Sequence, residues 1–129
     1  MIGIIDYNMG NLASVYNACK LIDADATIVK NPEDLKKFNR VILPGVGAYK
    51  DAMEHLVQTG MNEAVYEFAK TGKPIIGICL GMQLLFESSQ EFGHSDGLGL
   101  IDGHVIKFDK SKMHEDFKIP HMGWNTIKN

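Results

Sequence analysis

The chain alternates short apolar runs with amphipathic stretches from its first residue. Ile2 to Ile5 is a strand-like run ending at Asp6, and residues 6–11 carry turn chemistry. Leu12, Val15, Tyr16 and Cys19 then recur at i, i+3, i+4 and i+7, which predicts a helix with Cys19 in its buried stripe. Thr27 to Val29 reads as a second strand, followed by Asn31-Pro32, a cap with proline at the first helical position. Val41 to Leu43 is a third strand ending at Pro44-Gly45. Tyr49, Ala52, Met53 and Leu56 predict another helix, and so, after Gly60, do Met61, Ala64, Val65, Phe68 and Ala69. Thr71 to Pro74 stops it, and Ile75 to Ile78 is a fourth, nearly continuous apolar strand. Strands apolar on both faces suit a parallel sheet covered by helices on each side. The order predicts an α/β fold, a doubly wound and mostly parallel sheet with flanking helices.

The pattern changes after about residue 90. Gly93 to Gly99 is a loop, Leu100 to Phe108 has strand alternation, and Ile119 to Ile127 reads as one more strand. A β-rich extension after about residue 100 is therefore expected. No internal repeat or low-complexity tract interrupts the chain.

Composition narrows the class. With 129 residues, 45% of them hydrophobic, one domain with a sizeable core is expected. The net charge of −3 argues against an electrostatic nucleic-acid binder. No apolar run approaches the roughly 18 residues that would span a bilayer, and the N-terminal run reaches Asp6 too soon for a signal peptide. Cys19 and Cys79 make neither a disulfide framework nor a zinc site by themselves. A reduced cytoplasmic protein without cofactor or metal is the expectation.

Two loops following apolar strands could carry chemistry, because open α/β sheets bind ligands there. Gly77-Ile78-Cys79-Leu80-Gly81 lies between the fourth strand and a helix predicted to begin near Met82, the arrangement of a nucleophile elbow. Glycines are needed where the nucleophile is strained and its neighbours are crowded. The following helix would point its N-terminus at the sulfur and favour thiolate. The plainer alternative is a small buried Cys79, but the flanking glycines favour a nucleophile. The second loop, Pro44-Gly45-Val46-Gly47, could supply an N–H from Val46 or Gly47 to an oxyanion hole completed by Leu80, or it could be an ordinary tight turn. None of His55, His94, His104, His114 and His121 has a spacing that marks it as the general base.

These two loops, with Ile5-Asp6-Tyr7-Asn8-Met9-Gly10-Asn11-Leu12, Gly97-Leu98-Gly99-Leu100-Ile101 and Pro120-His121-Met122-Gly123-Trp124-Asn125, resemble the class I glutamine amidotransferases, a flavodoxin-like fold. Within them the chain is most similar to the glutaminase subunits of imidazole glycerol phosphate synthases. The resemblance implies hydrolysis of glutamine through a thioester on Cys79. Ammonia would pass to a (β/α)₈-barrel synthase subunit, the heterodimeric partner, which closes an imidazole ring in histidine biosynthesis and releases aminoimidazole carboxamide ribotide. It implies an oxyanion hole from Leu80 and, after a peptide flip, Val46, with Gly47 beside them. Gly45, Gln83 and Glu91 would hold the substrate. Gln83 and Glu91 are otherwise helix-surface residues. Asn8, Asn11, His121, Met122 and Trp124 would lie at or near the docking face, although Trp124 could instead be core.

One departure is large. The family carries its catalytic His and Glu in a His-x-Glu motif beyond the Trp124 segment, and residues 1–129 contain none. The expectation becomes the N-terminal, nucleophile-bearing part of a single amidotransferase domain, with turnover by this segment severely impaired. A paralogous subunit serving another amidotransferase, such as one modifying a sugar, and a non-catalytic docking module remain as alternatives.

Overall fold

A computed structural model of the chain describes residues 1–112 and 124–128. Four parallel strands, β1 (Ile2–Ile5), β2 (Ala26–Val29), β3 (Arg40–Leu43) and β4 (Ile75–Gly77), form a sheet in the order β2-β1-β3-β4. That order reverses direction between β1 and β3, so the chain opens a crevice beyond their carboxyl ends. The Asp6–Asn11 and Pro44–Gly47 loops occupy that edge.

Strand alternation sorts the side chains onto two faces. Ile5, Val41 and Leu43 enter the larger core with Leu56, Met61, Val65 and Phe68, from α2 (Tyr49–Thr59) and α3 (Met61–Lys70). Ile4 and Ile42 point the other way, to Cys19 of α1 (Leu12–Leu21), which is buried as its stripe predicts. Asn11 caps α1 by accepting from the Ser14 amide at 3.3 Å. Gly60 turns the chain between α2 and α3 with φ +75°, a left-handed conformation open to glycine. Asn31 caps a 3₁₀ turn, Pro32–Lys37, where the cap-and-proline signal lies.

The sequence expectation fails in several places beyond β4. The helix there, α4 (Leu80–Leu84), starts two residues before Met82 and ends after little more than one turn. The chain then enters β5 (Phe86–Ser89), where helical continuation was expected. Long-range pairing overrides the local pattern: Leu98 N–H donates to Leu84 O at 2.8 Å and Gly97 N–H to Glu87 O at 2.8 Å. β5 sits between β6 (Ser95–Asp96) and β7 (Ile101–Val105) in a three-stranded sheet. β6 pairs within the Gly93–Gly99 segment expected to be loop. The β-rich extension thus exists, but it begins at Phe86 rather than near residue 100.

Of the strand expected over Ile119 to Ile127, residues 119–123 lie outside the described residues, as do His114, His121 and Met122. Residues 124–127 are not strand, since they pair with no neighbouring strand among the described residues, and Trp124 and Ile127 stand in solvent. Trp124 is accordingly not core. Among the described residues no helix is long and apolar enough to cross a membrane.

Candidate active site

The turn from β4 into α4 is built on close approach. A Cβ at Gly77 would lie 2.5 Å from the Met82 Cα, and one at Gly81 would lie 1.9 Å from the Leu43 carbonyl oxygen. Both glycines flanking Cys79 are therefore required by backbone on backbone, as the motif suggested. Cys79 itself has φ +56° and ψ −123°, a region that L side chains rarely adopt. Its side chain is exposed. A strained, exposed thiol at a strand-to-helix turn is able to reach a bound carbonyl carbon.

The expected contribution of the helix N-terminus is smaller than the pattern implied. The first-turn amides of α4 already have acceptors: Gly81 N–H donates to Ile78 O at 3.0 Å and Met82 N–H to Cys79 O at 3.0 Å. With only five residues, α4 carries a short dipole.

The Pro44–Gly47 loop lies against this turn. The Leu80 N–H donates to the Gly45 carbonyl at 3.2 Å, so the amide that could bind an oxyanion holds a backbone oxygen instead. Gly47 has φ +103°, which leaves this loop free of the side-chain restriction that would fix its peptide planes. Gly45 has no room for a side chain, since a Cβ there would lie 2.5 Å from the Tyr7 hydroxyl and 2.8 Å from the Gly81 amide. Tyr7, within the turn that follows β1, is 1% exposed and donates to Pro44 O at 2.7 Å. Burial first, and then nearby Cys79, push its phenol above the ordinary tyrosine range. The signal available in the sequence was a large aromatic inside a turn directly after a buried strand.

Gln83 and Glu91 face a common space. They line one groove of about 320 Å³ with Phe92, Val105, Lys107 and Phe108. Gln83 is half-buried on α4, whereas Glu91 follows β5 and is not on a helix, which corrects its expected setting. Its amide donates to Ser89 Oγ at 3.2 Å, while its Oε2 is buried without a hydrogen-bond partner among the described residues. Cys79 is not among the groove's walls.

Asn8 and Asn11 are exposed on the loop after β1, and Trp124 is exposed as well. Asn8 takes a left-handed φ of +69°, its amide donating to Asp6 Oδ1 at 3.0 Å. The described histidines have other partners or positions. His94 meets Asp96 at 2.8 Å and Gln90 at 3.0 Å, and His104 meets Ser88 at 2.6 Å and Glu87 at 3.3 Å. His55 is half-buried on α2. No group of three or more His, Cys, Asp or Glu is placed to hold a metal ion among the described residues.

Residues 3–127 match the family described as glutamine amidotransferase class-I. A protein of Wolinella succinogenes named imidazole glycerol phosphate synthase subunit HisH is 64% identical over 127 residues, covering 98% of this chain and 62% of that protein. One of the same name from Sulfurimonas denitrificans is 62% identical, covering 98% of this chain and 61% of that protein. The chain thus spans about three fifths of the length of these curated relatives. In fold it is similar to a solved glutamine amidotransferase, with a TM-score of 0.70 at 21% identity, covering 81% of this chain and 55% of that one. The family match extends over nearly every residue that builds the two loops and the groove, and the chain belongs to the class-I glutamine amidotransferase family.

Proposed function

We propose that this chain carries the nucleophilic half of a cytoplasmic glutaminase that supplies ammonia to an imidazole glycerol phosphate synthase in histidine biosynthesis. The observation that carries the reading is Cys79, exposed and held at φ +56° between two glycines that tolerate no side chain. The names of the relatives support the pathway.

On this reading the Cys79 thiolate attacks the side-chain amide carbon of glutamine. The Gly45–Val46 peptide rotates, its carbonyl leaves the Leu80 N–H, and the Val46 N–H turns in beside Gly47. Leu80 and Val46 then donate to the tetrahedral oxyanion. Collapse expels ammonia after protonation of the leaving nitrogen and leaves a thioester, which water cleaves to glutamate and free thiol. Gln83 and Glu91, with the Gly45 backbone, hold the amino-acid end of the substrate. Ammonia passes to a (β/α)₈-barrel synthase subunit, bound in a heterodimer whose docking face includes Asn8, Asn11 and Trp124. The proton steps need a general base, and His94 and His104, held by their own partners, are not assigned that role.

The test is glutamine hydrolysis by the full gene product assembled with its synthase subunit. Turnover that disappears in Cys79→Ala is the expected result, and turnover that survives the substitution overturns the nucleophile. Complementation of a histidine auxotroph by the full gene tests the pathway. Failure with well-expressed protein would favour a paralogue serving another synthase.

A further inference from the structure

We infer that Tyr7 is a positioning residue whose hydroxyl, bonded to the Pro44 carbonyl, anchors the loop so that only the Gly45–Val46 peptide turns when the oxyanion hole forms. The inference rests on the glutaminase reading and deepens it.

The loop is clamped at its start. Tyr7 Oη holds Pro44 O at 2.7 Å, and the Gly45 Cα is wedged between that hydroxyl and the Gly81 amide. The neighbours of Tyr7 extend the clamp: a Cβ at Gly10 would lie 3.5 Å from the Pro44 ring, and one at Gly47 would lie 3.1 Å from the Met9 methyl. The β1 loop thus backs the whole Pro44–Gly47 segment. A peptide flip is a counter-rotation about two adjacent Cα atoms, and it delivers an N–H to the carbonyl's former place only if the flanking peptides stay still. The Pro44 carbonyl belongs to the flanking peptide that could yield. Its restraint is a phenol, a donor with one proton, which any tyrosine keeps through the neutral range and which burial holds on further into the alkaline range. Tyr7 does not line the groove of Gln83 and Glu91, and the peptide it holds is the one flanking the flip, so its main influence falls on oxyanion stabilisation.

The experiment uses the full gene product with its synthase subunit and compares the native protein with Tyr7→Phe, which keeps the ring. Loss of the anchor is expected to lower kcat for glutamine by about tenfold, leaving KM within about twofold. The rate of Cys79 alkylation by iodoacetamide stays unchanged, and the Leu80 amide exchanges faster with solvent deuterium. An unchanged kcat, or a raised KM with kcat preserved, overturns the inference. So does Leu80 exchange identical in the two proteins. Because exchange and alkylation need no turnover, a native protein that fails to hydrolyse glutamine would count against the glutaminase reading while Tyr7 remained tested. Should Tyr7→Phe not fold, difluorotyrosine at position 7 keeps ring and hydroxyl but ionises at lower pH. The alkaline limb of kcat should then move to lower pH, and an unmoved limb overturns the inference.

Discussion

The Leu80 amide donates to the Gly45 carbonyl at 3.2 Å, and this bond sets the resting state of the candidate site. On the proposed mechanism, an acceptor occupies the place where the oxyanion needs donors. Rotating one peptide would exchange that acceptor for the Val46 N–H, and that exchange can be blocked. Val46→Pro deletes the donor at a residue whose φ is not positive. Removing one oxyanion donor costs about 10²–10³ in kcat in well-studied cases, and a loss of that order is expected here. Steady-state kinetics with parallel alkylation of Cys79 checks it, since alkylation forms no oxyanion and should proceed at the native rate.

Backbone strain at Cys79 predicts opposite responses of stability and activity. Holding a non-glycine residue at φ +56°, ψ −123° costs about 1–3 kcal/mol. Cys79→Gly relieves that cost and removes the thiol. Thermal melting should rise by roughly 2–4 °C per kcal/mol relieved, while glutamine hydrolysis is lost. Cys79→Ala should lose the activity equally without the gain in melting temperature, because alanine keeps the Cβ.

Much of the fold was legible because β1, β3 and β4 are apolar runs that end in turn residues, at Asp6, Pro44 and Gly77. The helices between them keep a regular 3.6-residue stripe. The elbow was legible for a related reason: its glycines are required by contacts within one turn. What local patterns missed was decided by distant partners. Leu84, Leu85 and Phe86 continue a helical apolar spacing, yet amides at 97, 98, 99 and 101 claim carbonyls from Leu84 to Glu87, and the chain becomes a strand. Tyr7 looked like a turn residue because its hydroxyl answers to Pro44, which lies far along the chain. Glu91 was placed on a helix for the same reason that β5 was overlooked.

Gly81 makes the sharpest packing prediction. A Cβ there would meet the Leu43 carbonyl oxygen at 1.9 Å and its carbon at 2.7 Å, both main-chain atoms that cannot swing aside. Gly81→Ala must push β3 and α4 apart. Destabilisation at or above the roughly 1–3 kcal/mol typical of overpacking is expected, read from denaturant unfolding. Gly93, whose Cβ would meet nothing within 4 Å, provides the contrast, paying only for its φ of +81°.

Tyr49 links stability to alkaline pH. It is 1% exposed, its hydroxyl has no hydrogen-bond partner among the described residues, and its pKa is pushed up to about 12 by burial, then by Asp96 and Tyr66. The unfolded chain releases this proton near the ordinary value of 10.0, the folded chain later. The folded state therefore binds more protons above that point, and stability falls as pH rises from about 10 towards about 12. Tyr49→Phe removes both the titration and an unsatisfied buried hydroxyl, whose burial costs about 1–3 kcal/mol. It should be at least as stable as the native protein at neutral pH, with an advantage that widens through the alkaline range. Chemical unfolding of the two proteins in parallel cancels the other titrations, including that of Tyr7, and isolates this difference.

Glu91 offers the most direct probe of substrate recognition. One of its carboxylate oxygens is buried without a hydrogen-bond partner among the described residues, and the residue lines a groove with Gln83. A buried acceptor left unpaired is costly in the free protein, and a ligand that brings a cationic donor recovers that cost on binding. The α-ammonium of an amino acid is such a donor. Glu91→Gln keeps the shape and removes the charge, so KM for glutamine should rise by about 10–100-fold, as when one partner of a close charge pair is lost. kcat should hold, because the ammonium lies away from the reacting amide. Thermal stability should not fall, since no partner within the described residues is abandoned. Glutaramate, which lacks the α-amino group, separates recognition from general damage: it should be a far poorer substrate than glutamine for the native protein, and the gap should nearly close in Glu91→Gln. A variant that loses stability while keeping its preference for glutamine would place Glu91 in the scaffold instead.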